Sequence, residues 1–279
     1  MLENTFCHMP GVGPRTERRL WSAGVLSWHD ACASSSTTLS PARADHVAHH
    51  ATESLDQLSD GNARYFYDRL PCNQQWRLFP QFRHSVAYLD IETTGLAPPA
   101  DYITTIALYD GRSIRCYVQD ENLEEFRDDI GDYSLLVTYS GKTFDVPFIR
   151  SYFGLRLDQA HIDLRYVLHS LGYKGGLKGC ERQLGLDRGE LAGVDGFFAV
   201  LLWHDFLSNG NQAALQTLLA YNITDVVNLE TLMVLAYNMK LRDTAFAGTH
   251  QLPVPAAPDV PFEADMATVN RIRREHGWV

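Results

Sequence analysis

The sequence predicts an α/β fold: a mixed five-stranded sheet flanked by helices and preceded by a small helical N-terminal region. Three observations carry this. Residues 86–118 hold three apolar runs in succession, the second and third joined by Asp110-Gly111, a strong hairpin signal. Residues 135–164 then read as strand, helix, strand. The chain that follows, to Met239, reads as a series of helices.

In chain order, Met9-Pro10-Gly11-Val12-Gly13-Pro14 is a tight turn ahead of a helix from Arg15 to about Ala23. Glycines before a helix N-terminus expose backbone N–H groups that can hold an anion, which makes Gly11, Gly13 and Arg15 candidate phosphate-binding residues. A polar connection spans residues 33–41, and helices are expected over Pro41–Leu58 and Asn62–Leu70. His46 and His50 stand one turn apart on the first of these. No third ligand accompanies them at a metal-site spacing, so a plain exposed helix is expected. Residues 71–84, with Trp76, Phe79 and Phe82, read as an aromatic bridge into the main domain.

The main domain opens with strands over Val86–Glu92, Tyr102–Tyr109 and Ser113–Val118, followed by a helix over Asp120–Ile130. Leu135–Tyr139 is a short apolar run suited to a buried parallel strand. A helix over Phe144–Phe153 follows, with Pro147 in its first turn, and then a last strand, His161–Leu164. Helices are expected over Arg165–Leu171, Leu177–Leu184, Phe197–Phe206 and Ala213–Met239. Pro253, Pro255, Pro258 and Pro261 mark a linker-like tail that ends in Arg271-Ile272-Arg273-Arg274. The chain thus divides into 1–84, 85–241 and 242–279.

Composition narrows the function classes. The net charge of −10 argues against a basic nucleic-acid coat protein. Residues 1–84 are neutral, so the whole excess lies in 85–279, where acids clustered at a metal site would account for part of it. Of 24 basic residues only Lys142, Lys174, Lys178 and Lys240 are lysines. Five scattered cysteines without a C-x-x-C pair suit reduced thiols rather than a disulfide frame or a zinc site. There is no unbroken run of 18 apolar residues and no signal-peptide pattern at the start, so no membrane partner is expected and the cytoplasm is the expected location.

Four acids stand where apolar residues belong. Asp90 and Glu92 are two apart on a strand, so both point to one face, where like charges repel unless something offsets them. A divalent cation is the simplest offset, and hard carboxylate oxygens suit Mg²⁺ or Mn²⁺. Asp145 shares the face of its helix with Phe148, Ile149 and Tyr152. Asp225 lies mid-stripe between Leu218 and Leu232, with Leu229 at i+4 and Tyr221 at i−4. An unpaired carboxylate buried there costs about 3–5 kcal/mol, so a cation must meet it.

Asp90-Ile91-Glu92-Thr93-Thr94-Gly95 resembles the first motif of the DEDD 3′→5′ exonuclease superfamily, which has an RNase H-like fold. Tyr139-Ser140-Gly141-Lys142-Thr143-Phe144-Asp145 resembles the second motif, with Ser140 where that motif has Asn. Tyr221-Asn222-Ile223-Thr224-Asp225 resembles the third in its Tyr-x-x-x-Asp form; the position that carries His in the other form is Ala220. Asp163 and Gly175-Gly176-Leu177-Lys178 also resemble the tyrosine-type branch. The N-terminal turn and helix are similar to part of a helix-hairpin-helix motif, and that leader before such a domain resembles a bacterial family of predicted exonucleases.

The resemblance implies that Asp90, Glu92, Asp145 and Asp225 bind two divalent cations, Mg²⁺ or Mn²⁺, and that Tyr221 orients the attacking water. It further implies that Thr93, Thr94, Leu96 and Lys178 contact the substrate, a single-stranded DNA or RNA 3′ end, with release of nucleoside monophosphates. Two other classes stay open: an RNase H-like endonuclease or structure-specific nuclease, and a module that binds nucleic acid without cutting it.

Overall fold

The computed structural model describes residues 1–33 and 39–278; the polar connection expected over 33–41 lies largely outside them. Five helices precede the sheet: α1 Pro14–Ser22, α2 Trp28–Ala33, α3 Pro41–Ser59, α4 Ala63–Arg69 and α5 Phe79–Phe82. Strands β1 Val86–Thr93, β2 Ile103–Tyr109 and β3 Ile114–Val118 form an antiparallel meander. Helix α6, Phe126–Asp129, leads to β4 Leu135–Thr138, and α7 Asp145–Phe153 crosses to β5 Ala160–Asp163. Five helices follow: α8 Leu164–Ser170, α9 Gly176–Leu184, α10 Gly196–Asn209, α11 Gln212–Leu241 and α12 Met266–Glu275. The sheet order is β3-β2-β1-β4-β5, with β1, β4 and β5 parallel.

The two-residue period of β1 divides the core. Val86 and Tyr88 face α11, whose Ile223, Val226 and Leu229 close one hydrophobic cluster over the sheet. Ala87, Leu89 and Ile91 face Phe148 and Ile149 of α7 on the other side. The first cluster runs without a break into the N-terminal region through Phe66, Phe79 and Trp76, so residues 1–84 share a core with the sheet. Inside that region Arg77 and Glu17, both buried, pair at 2.8 Å.

Two expectations change. The helix foreseen over Asp120–Ile130 is reduced to the four-residue α6 between two 3₁₀ turns. Asp120 has φ 63°, and the Asn122 side chain is tied to β3, accepting from Val118 N–H and donating to the Cys116 carbonyl. A left-handed residue so anchored leaves the chain unable to enter a helix before Phe126.

Residues 242–279 are not a free tail. Asn238 brackets Leu252 with two hydrogen bonds, the Tyr237 hydroxyl donates to the His250 carbonyl, and α12 buries Val269 and Ile272 against α10 and α11. Prolines hold the chain extended without local hydrogen bonds, and polar side chains of α11 supply the partners.

Among the described residues a 3₁₀ turn, Leu2–Asn4, precedes the turn before α1. By length and composition alone α11 passes as a membrane-crossing helix, yet 78 % of its most apolar window is buried inside the protein. It is the core helix onto which the sheet and α10 pack.

Candidate active site

The acids of β1 follow from its alternation. Asp90 and Glu92 continue the face begun by Val86 and Tyr88, so they emerge at the carboxyl end of the sheet, under α11. Asp225 comes down from α11 to meet them. Carboxylate oxygens of Asp90, Glu92 and Asp225 all lie within 4.8 Å of one another. Among the described residues this is the one acidic, His or Cys group with metal-ligand geometry; His46 and His50 instead bond the Pro10 carbonyl and Glu53.

Asp145 approaches from the opposite face of β1. Strand β4 ends at Thr138, and its pairing with β1 reaches no further than Tyr88 and Val137. Ile91 N–H, beyond that point, donates instead to Asp145 Oδ1 at 3.2 Å. Asp145 is therefore buried beside the three-acid group rather than within it. The loop that delivers it is tied down by Asp163, whose carboxylate accepts from the backbone N–H of Ser140, Lys142 and Arg165. Ser140, at φ 67°, serves that loop through its backbone. Gly141 packs so closely on the Thr138 side chain that a Cβ would collide with it.

Tyr221 is buried one turn before Asp225, and its hydroxyl accepts from Lys178 Nζ. Lys178 Nζ also lies 4.0 Å from Asp225 Oδ2 and 4.1 Å from the centre of the Tyr221 ring. The lysine is thus directed into the acid cluster. Gly175 and Gly176, with φ of 97° and 73°, make the turn that starts α9 and so aims it.

Thr93 and Thr94 are spent on the loop after β1: Thr93 donates to the Gly95 carbonyl, and Thr94 Oγ1 bonds Asp101 and accepts from Tyr102 N–H. Leu96 stands 84 % exposed on that loop. Gly11 lines a separate cavity with Arg43 and His46, to which none of the acids contributes, and Gly13 and Arg15 are exposed around the N-terminus of α1.

Four further residues join the site. Arg188 donates to Asp225 Oδ1 and grips both oxygens of Glu181 at 2.8 and 2.9 Å. Glu181 is 0 % exposed and also accepts from Asn228 at 2.7 Å. Asn222 donates to Asp90 Oδ2 at 2.7 Å and accepts from Thr105 Oγ1. Asn222 had a signal, since it lies within the Tyr221–Asp225 segment. Arg188 had none: it sits in an irregular connection after Gly185, where no period indicates a direction.

A model of the RNase H superfamily matches residues 87–237. The chain belongs to the RNase H superfamily. Among solved structures, the family B DNA polymerase from the hyperthermophilic archaeon Pyrobaculum calidifontis is similar at a TM-score of 0.44 and 17 % identity, over 56 % of this chain and 24 % of the polymerase. The chain thus spans about a quarter of that polymerase's length. No curated protein matches the sequence.

On this RNase H superfamily sheet the acids are held against their own repulsion. Burial, then the charges of Asp225, Asp145 and Glu92, pushes Asp90 well above the carboxylate range. Burial, then Asp225, does the same to Glu92, opposed by Lys178. Burial pushes Asp145 up to about 7, against its backbone hydrogen bonds, with Asp163 and Asp225 adding to the rise. Burial and the Asp225, Glu92 and Asp90 charges also raise the Tyr221 phenol, so it stays protonated. A cluster of hard oxygen donors that resists ionisation fits a divalent cation, which would reverse the shifts.

This has a measurable consequence. In chelator, the folded protein binds more protons than the unfolded chain between the free carboxyl value near 4 and the folded value of about 7 for Asp145. The stability these carboxyls contribute is complete below about pH 4 and is lost as pH rises through about 7. Mn²⁺ binds the deprotonated acids, so the melting-temperature gap between Mn²⁺-loaded and chelated protein is expected to widen from pH 5 to 7.5. Melting scans at both ends of that range check it; a gap independent of pH would count against a cation at these acids.

Proposed function

We propose that the protein is a metal-dependent 3′→5′ exonuclease of the tyrosine-type DEDD branch, hydrolysing phosphodiester bonds and releasing nucleoside monophosphates. The observation that carries this is the convergence of Asp90, Glu92 and Asp225 from a strand and a core helix of an RNase H superfamily fold. When bound, a pair of divalent cations, Mg²⁺ or Mn²⁺, supplies an acidified water and charge stabilisation at the scissile phosphate.

The chain's own residues do the rest. Asp90, Glu92 and Asp225 would hold the cations, with Asp145 completing the set. Asn222 fixes the Asp90 carboxylate through its Oδ2. Arg188 donates to Asp225 Oδ1 and so fixes that carboxylate. The role of Tyr221 is to orient the attacking water through its hydroxyl, which in the metal-free protein accepts from Lys178. On substrate entry the Lys178 ammonium is placed to exchange Tyr221 for a phosphate oxygen.

The test is a gel of 5′-labelled single-stranded DNA and RNA incubated with Mn²⁺. The expected result is a ladder that shortens from the 3′ end, stops at a blocked 3′ end and leaves circular strands intact. Cleavage of circles would replace the exonuclease with the endonuclease reading.

A further inference from the structure

A cavity of about 400 Å³ opens between the N-terminal region and the carboxyl end of the edge strand β5, bordered by the loop that leads to Asp145. That size lies within the range of small-ligand sites. Trp76, Ile162 and Val167 form an apolar floor, and Lys142, Lys240 and Tyr166 line it as well. Tyr166 is 52 % exposed, an aromatic face without a covering partner among the described residues. Two of the four lysines of a chain with net charge −10 therefore meet at one cavity. Neither is in an ion pair among the described residues; Lys142 Nζ donates to a neutral group, Gln75 Oε1, at 2.9 Å.

Asp163 joins the cavity to the loop that delivers Asp145: it lines the cavity, and its carboxylate accepts from the backbone N–H of Ser140 and Lys142 in that loop and of Arg165. Lys142 belongs to the loop that delivers Asp145. On the far side, a second cavity of about 150 Å³ shares Trp76 and Lys240 with the first and reaches Arg18 on α1. Two adjoining cavities, lined by apolar and aromatic residues, carry Lys142, Lys240 and Arg18 beside Asp163, which three backbone N–H groups engage, Asp243, and Glu17, which Arg77 pairs; they describe a track for an extended polyanion with flat apolar units.

We propose that this track holds the nucleic-acid strand upstream of its cleaved end, with a base against Tyr166 and the Trp76 floor and phosphates at Lys142 and Lys240. The identity of the strand rests on the nuclease reading; its binding does not require cleavage. Stacking on aromatic groups and phosphate binding by unpaired cations are the two interactions that hold single strands without regard to sequence.

The test is fluorescence anisotropy of a labelled single-stranded dodecamer in chelator, across a salt series, with AMP as a competitor. The Lys142→Gln/Lys240→Gln double variant is expected to bind roughly tenfold more weakly, with the slope of log K against log salt reduced by about 0.7 for each phosphate that no longer meets a lysine. Tyr166→Ala, a substitution at an exposed position, is expected to weaken binding with the slope unchanged. Wild-type affinity and slope in all variants would overturn the proposal. Loss of AMP binding with dodecamer binding intact would overturn it too, assigning the cavity to a free mononucleotide. Strand binding through these residues without any nucleotide release in Mn²⁺ would instead overturn the nuclease reading and leave the track standing.

Discussion

Glu92→Gln is expected to make the metal-free protein more stable and the enzyme inactive. The substitution keeps the shape of the side chain and removes one charge from a group of three carboxylates held within 4.8 Å. Because burial and Asp225 push Glu92 well above the usual range, the metal-free fold favours its neutral form, and glutamine supplies a permanently neutral group. Melting in chelator should rise, by roughly 2–4 °C for each kcal/mol of repulsion removed. Hydrolysis should fall by at least about a hundredfold, since losing even an outer partner of a metal ligand costs about 10–100-fold. The two measurements move in opposite directions, which separates a functional charge from a structural one. A lower melting temperature in Glu92→Gln would show that the charge is already satisfied within the protein, and the metal assignment would lose its main physical support.

Arg188→Ala is expected to be the most destabilising single change at the site. The guanidinium bridges Glu181, which is 0 % exposed, and Asp225, which is nearly as buried. Burial works against the arginine's charge, yet the Asp225 and Glu181 carboxylates raise its pKa above the ordinary arginine value. Removing the guanidinium leaves Glu181 with only the Asn228 amide and Asp225 with only Lys178 at 4.0 Å, and breaking such a buried ionic group costs about 3–5 kcal/mol. The melting temperature should fall by roughly 10 °C or more. Arg188→Lys is expected to recover part of this at most, because an ammonium cannot present the planar fork that grips both Glu181 oxygens while reaching Asp225. Thermal melts of the two variants, side by side in chelator, are the check. Wild-type melting in Arg188→Ala would mean that water reaches Glu181 and that the bridge is dispensable.

The central acids were legible in the sequence because their signals are local. A strand places every second residue on one face, so Asp90 and Glu92 had to share a side. A helix returns to the same face every three to four residues, so Asp225 and Tyr221 had to look inward with Leu218, Leu229 and Leu232. Asp145 was legible as a residue on the packed face, but its task was not. That depends on β4 stopping at Thr138 and leaving Ile91 N–H without a strand partner.

The fold class, the strand order of the meander and the inward direction of the acids were thus determined by periods a few residues long, each written within its own element. What only the tertiary structure decided are the pairings between distant segments. Arg188 meets Asp225 across 37 residues of sequence, and Asn222 meets Asp90 across 132. The C-terminal stretch, read as a linker from its prolines, is held by Asn238 and Tyr237 of α11 and buries one side of α12. The cavity shared by the N-terminal region and the sheet belongs to the same class. Such pairings depend on the path of the loops between elements, and no local period records that path; the chain settles them only when the whole core is assembled.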